Sequence, residues 1–305
     1  MVGRRGRLAG TCVSGAVVAL ALAGCAGEPS RGSDRPHGVA ASSSPGDISG
    51  WSLDLADDFT GVDPRTWTLK DDTYSGNEDS FLRSRNCSID DAGADGHALR
   101  LQAEQETVRK WGQQWDYTSC SASTEDKYSV PAYFRAEVRA RVPMEHGLWA
   151  APLWLRPADD SGGEIDVAET LGSQSPPRVH QTLHTDYGED HQQVSSSYPF
   201  GRLGDPAGTG WHTYTVEKVP GSITMWVDGV QSAHWSAGDP EWFSSYYDAP
   251  KRWTLRVNLQ VGGSWGGPPD ASTDWSPDRT AMLVDHVYVW TPTVLSPLSL
   301  MPFTS

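Results

Sequence analysis

Three carboxylates fall within six residues at Glu164-Ile165-Asp166-Val167-Ala168-Glu169. Turn residues precede the segment at Gly162 and Gly163, and strand formers fill it as far as Thr170. Like charges this close on one strand repel, so stability alone does not account for them. In a strand, Glu164 and Asp166 point to one face while Ile165 and Val167 point to the other. Strict alternation sends Glu169 to the apolar side. One extra residue near Val167-Ala168, a β-bulge, returns it to the acidic face. Three carboxylates then line one face. Cleavage of a glycosidic bond with retention uses such a set. It needs two carboxyl groups roughly 5–5.5 Å apart, one to attack and one to protonate the leaving oxygen. Two blander readings compete. A solvated acidic strand would mix signs of charge, and Glu-x-Asp-x-x-Glu lacks the glycine and the oxygen-rich spacing of a Ca2+ loop.

Carboxylates held at fixed spacing need a rigid sheet, and the chain is rich in strand signals. Residues 133–142 alternate: Phe134, Ala136, Val138, Ala140 and Val142 share one face, and Tyr133, Arg135, Glu137, Arg139 and Arg141 the other. Residues 211–219 and 222–227 flank Pro220-Gly221 and read as a hairpin. In 254–261, Leu255, Val257, Leu259 and Val261 face inward, and Arg256, Asn258 and Gln260 face the opposite side. Residues 282–290 are apolar on both faces, as in a strand that is covered or centrally paired. The 31 glycines and 21 prolines supply turns, and no long segment carries a helical period. The pattern predicts an all-β fold, an antiparallel β-sandwich or jelly roll. The outer face of one sheet would form a concave cleft lined by the polar faces of 164–169 and 254–261.

The N-terminus reads as an export signal over residues 1–24. Arg4, Arg5 and Arg7 precede an apolar run from Val13 to Ala23 that is too short to span a membrane as a folded helix. The run ends in Leu22-Ala23-Gly24-Cys25, which resembles a bacterial lipobox and implies lipidation of Cys25 after cleavage. An ordinary secretory signal with a chance cysteine is the alternative. Residues 25–50 are rich in Ser, Gly, Pro and Asp and read as a flexible tether. The folded domain is expected over 51–294, with a tail at 295–305. Two cysteines remain in that domain, Cys87 and Cys120, and in an exported chain they are candidates for a disulfide. No Cys/His pattern has metal-site spacing.

Removing the signal takes three arginines and no acid, leaving 21 basic residues against 39 acidic ones, a net charge of −18. That charge argues against nucleic acid and anionic polymers as partners. A neutral polysaccharide is compatible. Fourteen tryptophans offer faces that stack on sugar rings, although core packing will claim many of them.

The acidic motif together with Asp57-Asp58-Phe59-Thr60-Gly61, Trp67, Gly76-Asn77-Glu78, Arg85-Asn86 and Phe134 to Pro143 resembles glycoside hydrolase family 16. Its laminarinase-like β-1,3-glucanases are the nearest members. The resemblance continues through Gly147-Leu148-Trp149, Trp154-Leu155, Leu183-His184, Trp211 to Tyr214, Val227-Asp228-Gly229, Asn258-Leu259, Val261 to Trp265 and Val284 to Val289. It implies a jelly roll of the concanavalin A type and a retaining endo-glycosidase acting on a neutral polysaccharide, with a β-1,3-glucan as first choice. Glu164 would be the nucleophile and Glu169 the general acid/base. Asp166 between them would hydrogen-bond Glu164 and shape the charge balance. Asn77, Trp149, Trp154, His184, Asn258 and Trp265 would line the substrate, with His184 placed near Glu169. No cofactor is required, but some members hold a structural Ca2+ at positions matched by Asp58 and Asp285. The protein would be an exported monomer tethered to the membrane by lipid.

Three departures bear on the substrate. One extra residue separates Trp149 from Trp154, the stretch before Glu164 lacks a tryptophan, and Arg256 stands where an apolar residue is usual. They keep open a family-16 hydrolase or transglycosylase for a galactan or an envelope polysaccharide. A non-catalytic glycan-binding protein is the reading from another class. The presence of all three acids argues against it.

Overall fold

The structure is a computed structural model and describes residues 45–293. The signal segment, Cys25, most of the tether and the 295–305 tail lie outside the described residues.

Two antiparallel sheets face each other. The back sheet has eight strands. It runs Val230–Ser236, Ser222–Val227, Trp211–Val219, Phe134–Arg141, Ala281–Pro292, Ala98–Gln102 and Cys87–Asp90, and Trp51–Asp57 also pairs with Ala281–Pro292. The second, the acidic sheet, has seven strands. They run Gln193–Pro199, Arg178–His184, Glu164–Leu171, Leu148–Pro157, Trp253–Val261, Ser121–Ser123 and Thr68–Leu69. The all-β sandwich expected from the sequence is therefore present, and the motif strand sits in the interior of its sheet.

The alternation read in the sequence decides which faces meet. Phe134–Arg141 buries every second residue. Val138, Val216, Met225 and Val287 of the back sheet pack with Ile165, Val167, Leu155, Val257 and Leu259 of the acidic sheet in one core. Burying each such side chain contributes about 1.5–3 kcal/mol. The core thus stabilises the sandwich without help from the opposite face of the acidic sheet, which is left to carry polar groups. Ala281–Pro292 is apolar on both faces for the expected reason. Its outward Tyr288 and Trp290 are covered by Ala56, Ile48, Trp51 and Leu53.

Cys87 and Cys120 are bonded, with Cα atoms 5.5 Å apart. Cys87 begins a back-sheet strand and Cys120 immediately precedes Ser121–Ser123 of the acidic sheet. The bond therefore ties the two layers together. A small sheet of Thr73–Tyr74, Ser80–Leu82 and Tyr117–Ser119, with a hairpin of Val108–Lys110 and Gln113–Trp115, was not apparent in the sequence. The helices among the described residues are short, the α-helical ones being Phe243–Tyr247 and Gly263–Gly266.

Candidate active site

Two bulges build the site. On Glu164–Leu171, Glu164 pairs with His184, Asp166 with Thr182 and Glu169 with His180, so three steps on one strand answer two on the next. Ile165, Val167 and Ala168 all lie in the core, and the three acids share the other face. This is the bulge that the spacing of the acids predicts. The neighbouring strand does the same. Ala151 pairs with Asn258 and Trp154 with Arg256, again three steps against two. The extra residue noted between Trp149 and Trp154 is therefore a second bulge, at Pro152-Leu153. Proline suits an unpaired bulge position because it has no N–H to satisfy. Both tryptophans consequently reach the acidic face.

Glu164 stands among polar partners. Tyr187 donates its O–H to Glu164 Oε1 at 2.5 Å. Arg156 Nε lies 3.5 Å from Oε2. The Tyr247 hydroxyl lies within donating distance of two backbone carbonyls, those of Glu164 at 2.8 Å and His184 at 2.6 Å, and its one proton is shared between them. Burial and the nearby Asp166 charge push the Glu164 carboxyl up to about 7, against the opposing effects of Tyr187, His184 and Arg156.

Asp166 corrects one expectation. It does not hydrogen-bond Glu164; its Oδ2 lies 2.9 Å from His184 Nε2. Positions i and i+2 of a strand are roughly 6.5 Å apart, whereas a cross-strand neighbour is within about 5.5 Å. The same register corrects the expected place of His184, which lies by Glu164 and Asp166 and not by Glu169. Burial disfavours its charged form, but the Asp166 contact and the charges of Asp166 and Glu164 win and raise its pKa. His184 Nδ1 faces His191 Nε2 at 2.9 Å, and the rings of His184, Tyr187 and His191 stack.

Glu169 has a drier setting. Trp149 donates to it from Nε1, at 3.1 Å. Trp265 packs edge-on to both Trp149 and His180. Burial first, then the charges of Asp166 and Glu164, hold the Glu169 carboxyl well above the usual range. Two carboxyl groups of one strand thus differ in their hold on a proton, with Glu169 the better holder.

The remaining candidates line the same face. Trp154 donates from Nε1 to Asn258 Oδ1 at 2.5 Å, and the Arg256 guanidinium lies 5.0 Å over the Trp154 ring. Asn77 is exposed and accepts from Gln260 Nε2 at 3.3 Å. Trp265 is 40% exposed. Sequence reasoning missed Tyr187, His191, Arg156 and Glu78. The last is a buried carboxyl beside Ser80 and Gln260, pushed up to about 8 by burial.

Glu164, Asp166 and His184 offer donor atoms within 4.8 Å of one another, a spacing that a cation could use. Each is already committed to a protein partner, and we read the group as a hydrogen-bonded network. Asp58 and Asp285 come together in one pocket on the back sheet. However, Asp285 accepts from the Ala94 N–H at 2.5 Å and from Arg139 at 2.9 Å, and Asp58 accepts from Tyr288. Against burial, bonds from His286, Ala94 and Arg139 hold the Asp285 carboxyl down at about 2. A guanidinium beside the carboxylate does not fit the oxygen-only shell that Ca2+ takes.

The profile of Glycosyl hydrolases family 16 matches residues 80–277. A "Beta-glucanase" of Rhodothermus marinus is 29% identical over 257 residues, covering 79% of this chain and 86% of the relative. The "Glucan endo-1,3-beta-glucosidase A1" of Niallia circulans is 28% identical over 80% of this chain but only 38% of its own length. The laminarinase catalytic domain of Thermotoga maritima superposes with a TM-score of 0.68 at 26% identity, covering 80% of this chain and 99% of that one. The chain belongs to Glycosyl hydrolases family 16.

Proposed function

We propose that the protein is a retaining endo-β-glucanase, with β-1,3-glucan as its first substrate. The observation that carries this reading is the pair of unlike carboxyl groups on one face: Glu164 beside Tyr187 and Arg156, and Glu169 against Trp149. In the first step a Glu164 oxygen bonds to the anomeric carbon. The glycosidic C–O bond breaks, and its oxygen takes the proton held by Glu169. In the second step Glu169 takes a proton from water, the water oxygen bonds to the anomeric carbon, and Glu164 leaves. The names of the Rhodothermus and Niallia relatives support a β-glucan as the polymer.

The test joins a glycan panel to two variants. Products from laminarin should appear first as the β-anomer by NMR. Glu169→Ala should lose polysaccharide hydrolysis by about 10²–10⁴-fold while still forming the glycosyl-enzyme from an activated aryl glycoside. Glu164→Ala should lose both. Equal loss of the activated substrate in the two variants would reverse or remove the assigned roles.

Arg156 and Arg256 favour a second reading, a family-16 hydrolase or transglycosylase for another glycan. Both guanidiniums face the same cleft and could meet substituents that glucan lacks. Digestion of a substituted galactan in preference to laminarin would decide for it.

The lipobox adds location. Cys25 would carry the lipid, and a coil of about 25 residues spans roughly 25–30 Å, enough to clear the headgroups. Cys25→Ser should leave activity unchanged and move the enzyme out of the membrane fraction. Release of the unlipidated wild type to the medium would end the anchoring part alone.

A further inference from the structure

We infer that Tyr187, delivered by the hairpin loop at 185–192, is a positioning residue that keeps the proposed nucleophile ionised and aimed. This rests on Glu164 being the nucleophile. The loop joins Arg178–His184 to Gln193–Pro199 and reaches back over the motif strand. Gln192 donates its N–H to Thr185 Oγ1 at 2.8 Å, which pins the base of the loop. Tyr187 is 52% exposed, yet its hydroxyl is spent on a single acceptor, Glu164 Oε1. An exposed phenol gains no core packing from that pose. Its ring stacks on His184 and His191, with centroids 5.4 and 4.7 Å away, and the Arg156 guanidinium lies 5.6 Å over it.

The charge arrangement shows what the hydroxyl does. Glu164 is faced by Asp166 and Glu169 on its own strand, His184 from the adjacent Arg178–His184 strand, Arg156 from the adjacent Leu148–Pro157 strand and Arg256 from Trp253–Val261 beyond it. His184 spends its near nitrogen on Asp166, and Arg156 stands at ion-pair and not hydrogen-bond distance. The hydrogen bond to the Glu164 side chain therefore comes from Tyr187. A donor to a carboxylate favours the charged form and fixes one lone pair, leaving the second oxygen to point at the anomeric carbon. The stack on His184 and His191 holds the phenol at the angle this needs. The loop, which lies outside the acidic motif, would thereby set the acid limb of the reaction.

The experiment measures pH profiles of kcat/KM for the wild type, Tyr187→Phe and His191→Ala. A parallel incubation with a 2-deoxy-2-fluoro glycoside and mass mapping identifies the labelled carboxylate. Tyr187→Phe should move the acid limb up by about 1 pH unit, close to a 10-fold loss on that limb. It should lower kcat with little change in KM and leave the basic limb in place. His191→Ala should give a smaller shift in the same direction. If Glu164 is labelled and the acid limb of Tyr187→Phe does not move, or if only KM rises, the tyrosine is a substrate contact and the inference fails alone. If the label falls on another residue, the reading of Glu164 as nucleophile fails first. Tyr187 is exposed and the change removes one oxygen, so the variant should fold. A melting temperature matching that of the wild type checks this.

Discussion

Glu164 and Glu169 are the same residue type on the same face of one strand, yet their surroundings are opposed. One end of the strand offers a phenol, a guanidinium and an imidazole held against Asp166. The other offers an indole N–H and aromatic edges. Neither carboxyl is specialised by itself. The strands on either side divide the two proposed roles, and bulges on the motif strand and on Leu148–Pro157 put the acids and both tryptophans on the face where this happens.

The largest effect should come from exchanging the two sides of the bulge. Swapping Ala168 and Glu169 (Ala168→Glu with Glu169→Ala) puts the carboxyl where Ala168 packs in the core and leaves the acidic face without it. A buried carboxyl without a partner also costs stability. Activity should be lost beyond detection and the fold weakened, whereas an Ala168→Gly change should retain activity. An active exchanged variant would show that the bulge does not position Glu169.

Next in size is a change at one end only. Trp149→Phe keeps an aromatic ring but removes the indole donor to Glu169. The Glu169 proton should then be held more tightly, so the basic limb of kcat/KM should rise by up to about 1 unit while the acid limb stays. Movement of the acid limb instead would reverse the two ends.

The two ends also share a cost. A carboxyl whose folded pKa is raised contributes its stability fully below the unfolded value, here 4.5, and loses it as pH rises through the folded value, about 7 for Glu164. Glu164→Gln should therefore melt with the wild type at pH 4 and above it at pH 8, by on the order of 1–3 kcal/mol or a few degrees. A gap that stayed constant with pH would rule out ionisation as its source.

The smallest effect on catalysis should come from a site remote from both ends. Replacing Cys87 and Cys120 by serine should lower stability by about 3–4 kcal/mol at most, read from denaturant midpoints, and leave both pH limbs unmoved. Two alkylatable thiols in the native wild type would contradict the bond itself.

Much of this arrangement is legible in the amino-acid sequence itself. Three acids that cannot all share a face without a bulge specify that bulge. The alternation of 133–142 and 254–261 specifies which side meets the core. The second bulge is visible only as a surplus residue between Trp149 and Trp154, because spacing says that a residue is extra but not which way it is absorbed. His184 and Asp166 were misplaced for one reason. Their partners depend on register between strands, and a single strand pattern does not encode register. Tyr187 and His191 were illegible because they come from a loop whose residues are ordinary turn residues apart from their side chains, and the loop's path back across the sheet is a tertiary fact.

Tyr247 has a further consequence. Its hydroxyl joins the carbonyls of Glu164 and His184, and its own carbonyl accepts from the buried Lys218 Nζ at 2.5 Å. The short helix that carries it is therefore fastened at once to the mouth of the acidic strand and to the opposite sheet. Such a segment cannot fray by itself. Opening it releases the main chain on which Glu164 stands, so peptide amides near residues 243–247 and 164 should exchange with solvent deuterium together, as one cooperative unit.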